Sequence, residues 1–308
     1  MRGSLFDRRF VILGGKGGVG KSTVTAALAL SAARRGKKVL IVELGAKEKI
    51  PQLFGRPELS GYEPREIASG IESISVTPGP ALEEYGLMKL RLKRLYRLVF
   101  ENPMMRALVR MVPGMNELLL IGKAWSLEQE TDVYGRPRWD LLLVDAPATG
   151  HGVSILVLPH VILDTVTSGP MAEETAHIRD LLVDTRKTCF NVVTLPEEMP
   201  VNEALELRTQ LTEKLRIPPG YLWVNGVWPD LVGEAEEGLA SAAGLSHVAR
   251  VARTFARRRQ AQAEHLKTLS QKCDLPQIQL PFLFTDAFGL PEIERLSRVV
   301  DDALGAAA

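Results

Sequence analysis

Cysteine is nearly absent: the 308 residues hold two, Cys189 and Cys273, far apart and with no second cysteine nearby. That excludes a disulfide framework and a Cys-x-x-Cys zinc site, and both residues are expected to be ordinary buried thiols. Net charge is also nearly absent, at +1 from 38 Lys+Arg and 37 Asp+Glu, so bulk charge recruits neither nucleic acid nor a membrane, and any anion must be bound locally. Long apolar runs are missing too. The longest stretch free of Asp, Glu, Lys and Arg runs from Ala146 to Leu163 and is interrupted by two prolines, two glycines and two histidines, which argues against stable membrane insertion. The apolar run Phe10–Leu13 is too short for a signal-peptide core, so the chain is expected in the cytoplasm.

What is present is a recurrence of short apolar runs between longer helical patterns: Phe10–Leu13, Val39–Val42, Ile71–Val76, Leu141–Val144, Phe190–Thr194, Tyr221–Val224 and Ile278–Leu280. Continuous apolarity marks strands covered on both faces. The expected fold is therefore α/β, a doubly wound, mostly parallel sheet with helices on both faces, forming one domain over residues 5–303 with a frayed tail at 304–308. Two regions break the alternation. Residues 81–135 read as an inserted helical subdomain holding Met88, Met104, Met105, Met111 and Met115; methionine adapts to varied apolar partners, so this face is either a core stripe or a groove for a hydrophobic protein client. His247–Gln271 reads as a polar helix whose Arg257, Arg258 and Arg259 form a solvated face.

The strongest chemical signal is Gly15-Lys16-Gly17-Gly18-Val19-Gly20-Lys21-Ser22, followed by Thr23. It fits G-x-x-x-x-G-K-[S/T] and sits between the strand ending at Leu13 and a helix through Ala26–Ala33. Such a loop turns its backbone N–H groups around phosphate oxygens, and the following helix directs its positive end at the same anion. Lys21 is expected to neutralise the β- and γ-phosphates of ATP, and the Ser22 hydroxyl to take a Mg²⁺ position. Asp145, ending the apolar run Leu141–Val144, is expected to reach the Mg²⁺ shell through water; the competing role is a helix cap. Gly150 reads as part of a loop free to respond to the γ-phosphate, and His151 as a hydrogen-bonding loop residue.

Lys16 is not required by an ordinary phosphate loop. With it, the motif resembles the deviant P-loop (deviant Walker A) of the ATPase group that includes partitioning and division-site proteins, nitrogenase iron protein and arsenite-efflux ATPases. Within that group the chain is most similar to the arsenite-pump and tail-anchored-protein targeting ATPase family. Asp145-Ala146-Pro147-Ala148-Thr149-Gly150-His151 looks like its second switch, with Gly152 in place of a final threonine. Phe190–Glu198 looks like its following strand and loop, Trp223-Val224-Asn225 like the element whose asparagine reads adenine, and Pro281-Phe282 like the loop closing over the base. The resemblance covers nearly the whole chain as a single unit. It implies a homodimer, or a heterodimer with a paralogue, in which Lys16 crosses to the partner's nucleotide.

Departures accompany the likeness. Alignment through Leu53-Phe54-Gly55 places Gly45 where the family carries a water-orienting aspartate, so hydrolysis is expected to be slow; Glu43, two residues earlier on the same side of an extended strand, is the candidate substitute. The zinc-binding Cys-x-x-Cys of the targeting branch and a thiol triad for arsenite are both missing. Two functions follow: an ATP-hydrolysing dimeric switch that handles a hydrophobic or protein client, or an ATP-binding structural partner in which nucleotide only locks a dimer.

Overall fold

The computed structural model describes residues 4–45, 49–58, 61–90, 112–229 and 246–305, with side chains for all of these except residues 89–90, 149–152, 246–249 and 252. The strands are β1 (Phe10–Gly14), β2 (Val39–Leu44), β3 (Arg65–Ala68), β4 (Ile71–Val76), β5 (Leu141–Asp145), β6 (Thr188–Thr194), β7 (Pro219–Val227) and β8 (Gln277–Pro281). They form one sheet in the order β3-β4-β2-β5-β1-β6-β7-β8. Every pairing is parallel except β3 with β4. The expected α/β architecture is thus the observed one, and each of the seven apolar runs lies on a strand.

The helices are α1 (Lys21–Arg34), the one-turn α2 (Ile50–Leu53), α3 (Pro78–Leu90), α4 (Met115–Gln129), α5 (Thr149–Thr165), α6 (Pro170–Val183), α7 (Glu198–Thr209), α8 (Ser246–Lys272) and α9 (Leu290–Gly305). Alternation along the strands divides the core into two layers. Val11, Leu13, Ile41 and Leu143 face α1 and α9, among Val24, Leu28, Leu296 and Val300. Phe10, Ile12, Val42 and Val144 face the other way, among Leu120, Ile155, Leu182 and Leu207 of α4 to α7. Each fully buried Val or Leu contributes about 1.5–3 kcal/mol, so both sheet faces drive the assembly and both are closed to solvent.

Of the helical region, α3 and α4 are described; Leu92, Leu95, Val99, Met104, Met105 and Met111 lie outside the described residues. The segment after α4 is not helical: it closes with a bridge between Thr131 and Pro137 before β5. The tail expectation is corrected in part, since α9 runs to Gly305 and buries Leu304. Residues 306–308 lie outside the described residues. Cys189 and Cys273 are buried free thiols, and burial pushes the Cys189 thiol up to about 12. Among the described residues, no helix is long and apolar enough to cross a membrane.

Candidate functional site

In an open parallel sheet, ligands gather beyond the carboxyl ends of the central strands. Here β1 lies between β5 and β6, and Gly14 is followed by the glycine-rich loop that enters α1 at Lys21. Gly20 caps that helix at φ 90°, and a Cβ there would come 2.2 Å from Asn225 Nδ2. Only glycine satisfies both the left-handed backbone and the close approach. The first turn of α1 then presents backbone N–H groups that have no partner within the helix.

Ser22 and Asp145 meet across this opening: Ser22 Oγ donates to Asp145 Oδ2 at 2.6 Å. Asp145 is the last residue of β5, and α5 starts four residues later with Ala148 at its cap, so the capping role does not apply. Its Oδ1 is buried and accepts no hydrogen bond among the described residues. Burial raises the Asp145 carboxyl to about 6, against the Ser22 hydrogen bond and the positive charges of Lys21 and Lys49. A hydroxyl and a carboxylate are hard oxygen donors, and with one buried carboxylate oxygen unpartnered, they fit the Mg²⁺ that the family's nucleotide chemistry implies.

Lys21 Nζ donates to the carbonyls of Gly15 and Lys16, at 3.1 and 3.0 Å, which folds the side chain along the loop. Burial lowers its pKa, Asp145 opposes that shift and Lys49 adds to it. The loop, Lys21, Ser22, Thr23, Glu43, Lys49 and Asp145 line a cavity of about 500 Å³, which also receives Phe288. Glu43 stands opposite Asp145 in the β2–β5 register and is 2% exposed. Its Oε1 accepts from the backbone N–H groups of Lys49 and Ile50, at 2.9 and 3.2 Å. The residue named as a substitute for the missing aspartate therefore ties the chain after β2 to the sheet. Gly45 itself has φ +71° and donates its N–H to Val76 at 2.8 Å.

Four expected residues lie at the edge of this centre. Lys16 points to α7, with Nζ 2.9 Å from Glu203 Oε1 in the same chain. Asn225 Nδ2 donates to the Val19 carbonyl at 3.0 Å, clamping β7 to the loop. Pro281 ends β8, and Phe282 packs with Trp228 and Phe284 at ring separations of 5.5 and 4.9 Å. Phe255 of α8 joins this cluster, and Arg258 covers Trp228 at 4.6 Å, so the polar helix contributes one stacked arginine rather than a wholly solvated face. Gly150 and His151 are in the first turn of α5, not in a loop as expected.

Residues the sequence did not mark are Lys49, Phe288 and Glu203. Lys49 and Phe288 reach the cavity from segments without a motif, and Glu203 is an ordinary helix glutamate until folding sets it beside the loop. Among the described residues, no group of three or more His, Cys, Asp or Glu could hold a metal by itself.

A glycine-rich loop between β1 and α1, with a serine of that helix bonded to an aspartate ending a neighbouring strand, defines an α/β fold of the P-loop type. The chain belongs to the anion-transporting ATPase family, whose model matches residues 8–169 and 165–302. It is 32% identical over 228 residues to the ATPase BagA of Mycobacterium tuberculosis, a match covering 70% of this chain and 64% of that protein. A putative arsenical pump-driving ATPase of Halobacterium salinarum is 24% identical over 298 residues, covering 93% of this chain and 43% of that one. The ATPase ASNA1 homolog 1 of Paramecium tetraurelia is 26% identical over 155 residues, half of this chain and 44% of its own. The chain thus spans less than two thirds of the length of these relatives.

Proposed function

We propose that the chain binds Mg-ATP in the cavity beyond β1 and β5 and hydrolyses it slowly, as a dimeric switch acting in the cytoplasm. The observation that carries this reading is the Ser22–Asp145 pair with its unpartnered buried Oδ1, set at the mouth of the phosphate loop. Mg²⁺, when held by Ser22 and Asp145, would supply positive charge to neutralise the charge that develops on the phosphates. Ser22 and Asp145 hold its position, the loop N–H groups orient the phosphates, and Lys21 offsets their charge. Asn225 and Phe282 serve the base, through a carboxamide with an acceptor beside its loop contact and through a ring edge in an aromatic cluster.

Slow turnover follows from the switch segment, because Gly45 has no side chain to orient water and Glu43 Oε1 is committed to two backbone donors. Lys16, on the rim of the loop, is available to a partner's nucleotide across a seam. A client of apolar chemistry is supported by a second cavity, of about 320 Å³, between α3, α4 and α6, lined by Met88, Met115, Leu118, Trp125, Met171 and Ile178. Phosphate release with Mg-ATP in excess tests the whole: a slow rate abolished in Lys21→Ala supports the switch. Tight binding with no release supports the alternative, a nucleotide-locked structural dimer.

A further inference from the structure

We infer that Lys49 reads the terminal phosphate of the nucleotide and so makes the site selective for a triphosphate over a diphosphate. This rests on the ATP reading above and adds to it a discriminating residue. Two of the lysines around the loop have partners in this chain: Lys21 Nζ donates to the carbonyls of Gly15 and Lys16, and Lys16 Nζ pairs with Glu203. Lys49 lines the same cavity from the other side, on the segment that follows β2. It is exposed, and among the described residues its ammonium makes no ion pair.

An exposed lysine is ordinarily a solvated charge. Here the backbone beneath it is held, because buried Glu43 accepts from the N–H groups of Lys49 and Ile50 and β2 fixes Glu43 in register with Asp145. The ammonium is therefore tethered beside the cavity. Two ammonium groups and the carboxylates of Glu43 and Asp145 line one cavity of about 500 Å³, with Glu43 Oε1 engaged by backbone N–H groups and Asp145 by Ser22. A phosphate chain entering it supplies an anion for both ammonium groups. The loop and the first turn of α1 hold the phosphates nearest the nucleoside, and only a longer chain extends past the cradle to the opposite wall. A point-charge contact to phosphate is within a lysine's repertoire.

Calorimetric titration of Mg-ATP and Mg-ADP into the full chain and into Lys49→Gln, Lys49→Arg and Lys21→Ala tests this. Lys49→Gln should weaken ATP by about tenfold, about 1.4 kcal/mol, and ADP by less than about twofold. Lys49→Arg, which keeps the charge, should retain most of the preference. Because the side chain is exposed, an unchanged melting temperature is expected and checks that the variant is folded. Equal losses for both nucleotides, or no loss, would overturn the role of Lys49 while leaving the ATP site standing. Failure of the unmodified chain to bind either nucleotide, or Lys21→Ala binding as well as the parent, would overturn the ATP reading itself and this inference with it.

Discussion

Lys16 and Glu203 form a salt bridge across 187 positions of chain, with Nζ and Oε1 2.9 Å apart and side chains 30% and 32% exposed. A pair so open to water contributes about 0–1 kcal/mol. It orders the lysine without trapping it. Glu203→Gln should accordingly change stability by less than about 1 kcal/mol in urea titration. If Lys16 serves a partner's nucleotide, Glu203→Gln should keep or strengthen the dimer seen by light scattering with a slowly hydrolysed ATP analogue, whereas Lys16→Ala should lose it. A dimer indifferent to Lys16→Ala contradicts the trans role.

Gly45 cannot simply be returned to aspartate. At φ +71° a side chain meets left-handed strain, and a Cβ would lie 3.2 Å from Leu120 Cδ1, tighter than normal packing. Aspartate tolerates this backbone better than most residues, so Gly45→Asp should cost about 1 kcal/mol and lower the melting temperature by about 2 °C. Any gain in phosphate release should appear against that loss. Release unchanged or slowed would show that the carboxylate does not reach the water.

The packing of α1 on α9 should depend on pH through Asp301, which accepts from Ser31, Arg34 and Arg35. Burial pushes its carboxyl up, but the hydrogen bonds from Ser31, Arg35 and Arg34 together outweigh burial and hold it below its ordinary 3.8. A depressed carboxylate stabilises the fold above its unfolded pKa, and the contribution is lost as pH falls through the folded value. Asp301→Asn should therefore cost about 1–2 kcal/mol near neutral pH, a range reduced by the partial exposure of the arginines. The difference should begin to close near pH ~3.8 and vanish only below the depressed folded value. A difference that persists at low pH would mean that shape, not charge, joins these helices.

The parallel strands were legible because burial on both faces leaves continuous apolar runs such as Leu141–Val144, all buried in the fold. Strand β3 was not, because it is an antiparallel edge, Arg65–Ala68, with Ile67 its one buried residue, and polar edge strands carry no such run. The phosphate loop, Ser22 and Asp145 were legible because their chemistry requires a local motif and a strand end. Lys49 was not, since its place depends on Glu43 turning back to hold the following backbone. Glu43 itself reads as a candidate for water activation until that contact is seen. The carboxyl end of α9 misled in the other direction: a run of glycine and alanine suggests fraying, while Leu304 just before it is buried among the α1 residues.

The central claim, that Ser22, Asp145 and Lys21 build one Mg-ATP site, is tested most directly by calorimetric titration of ATP with and without Mg²⁺. The chain should bind Mg-ATP, Lys21→Ala should weaken it by at least about tenfold, about 1.4 kcal/mol, and Asp145→Asn should lose the difference made by Mg²⁺. Absence of binding by the parent chain, or an affinity untouched by both substitutions, would contradict the account.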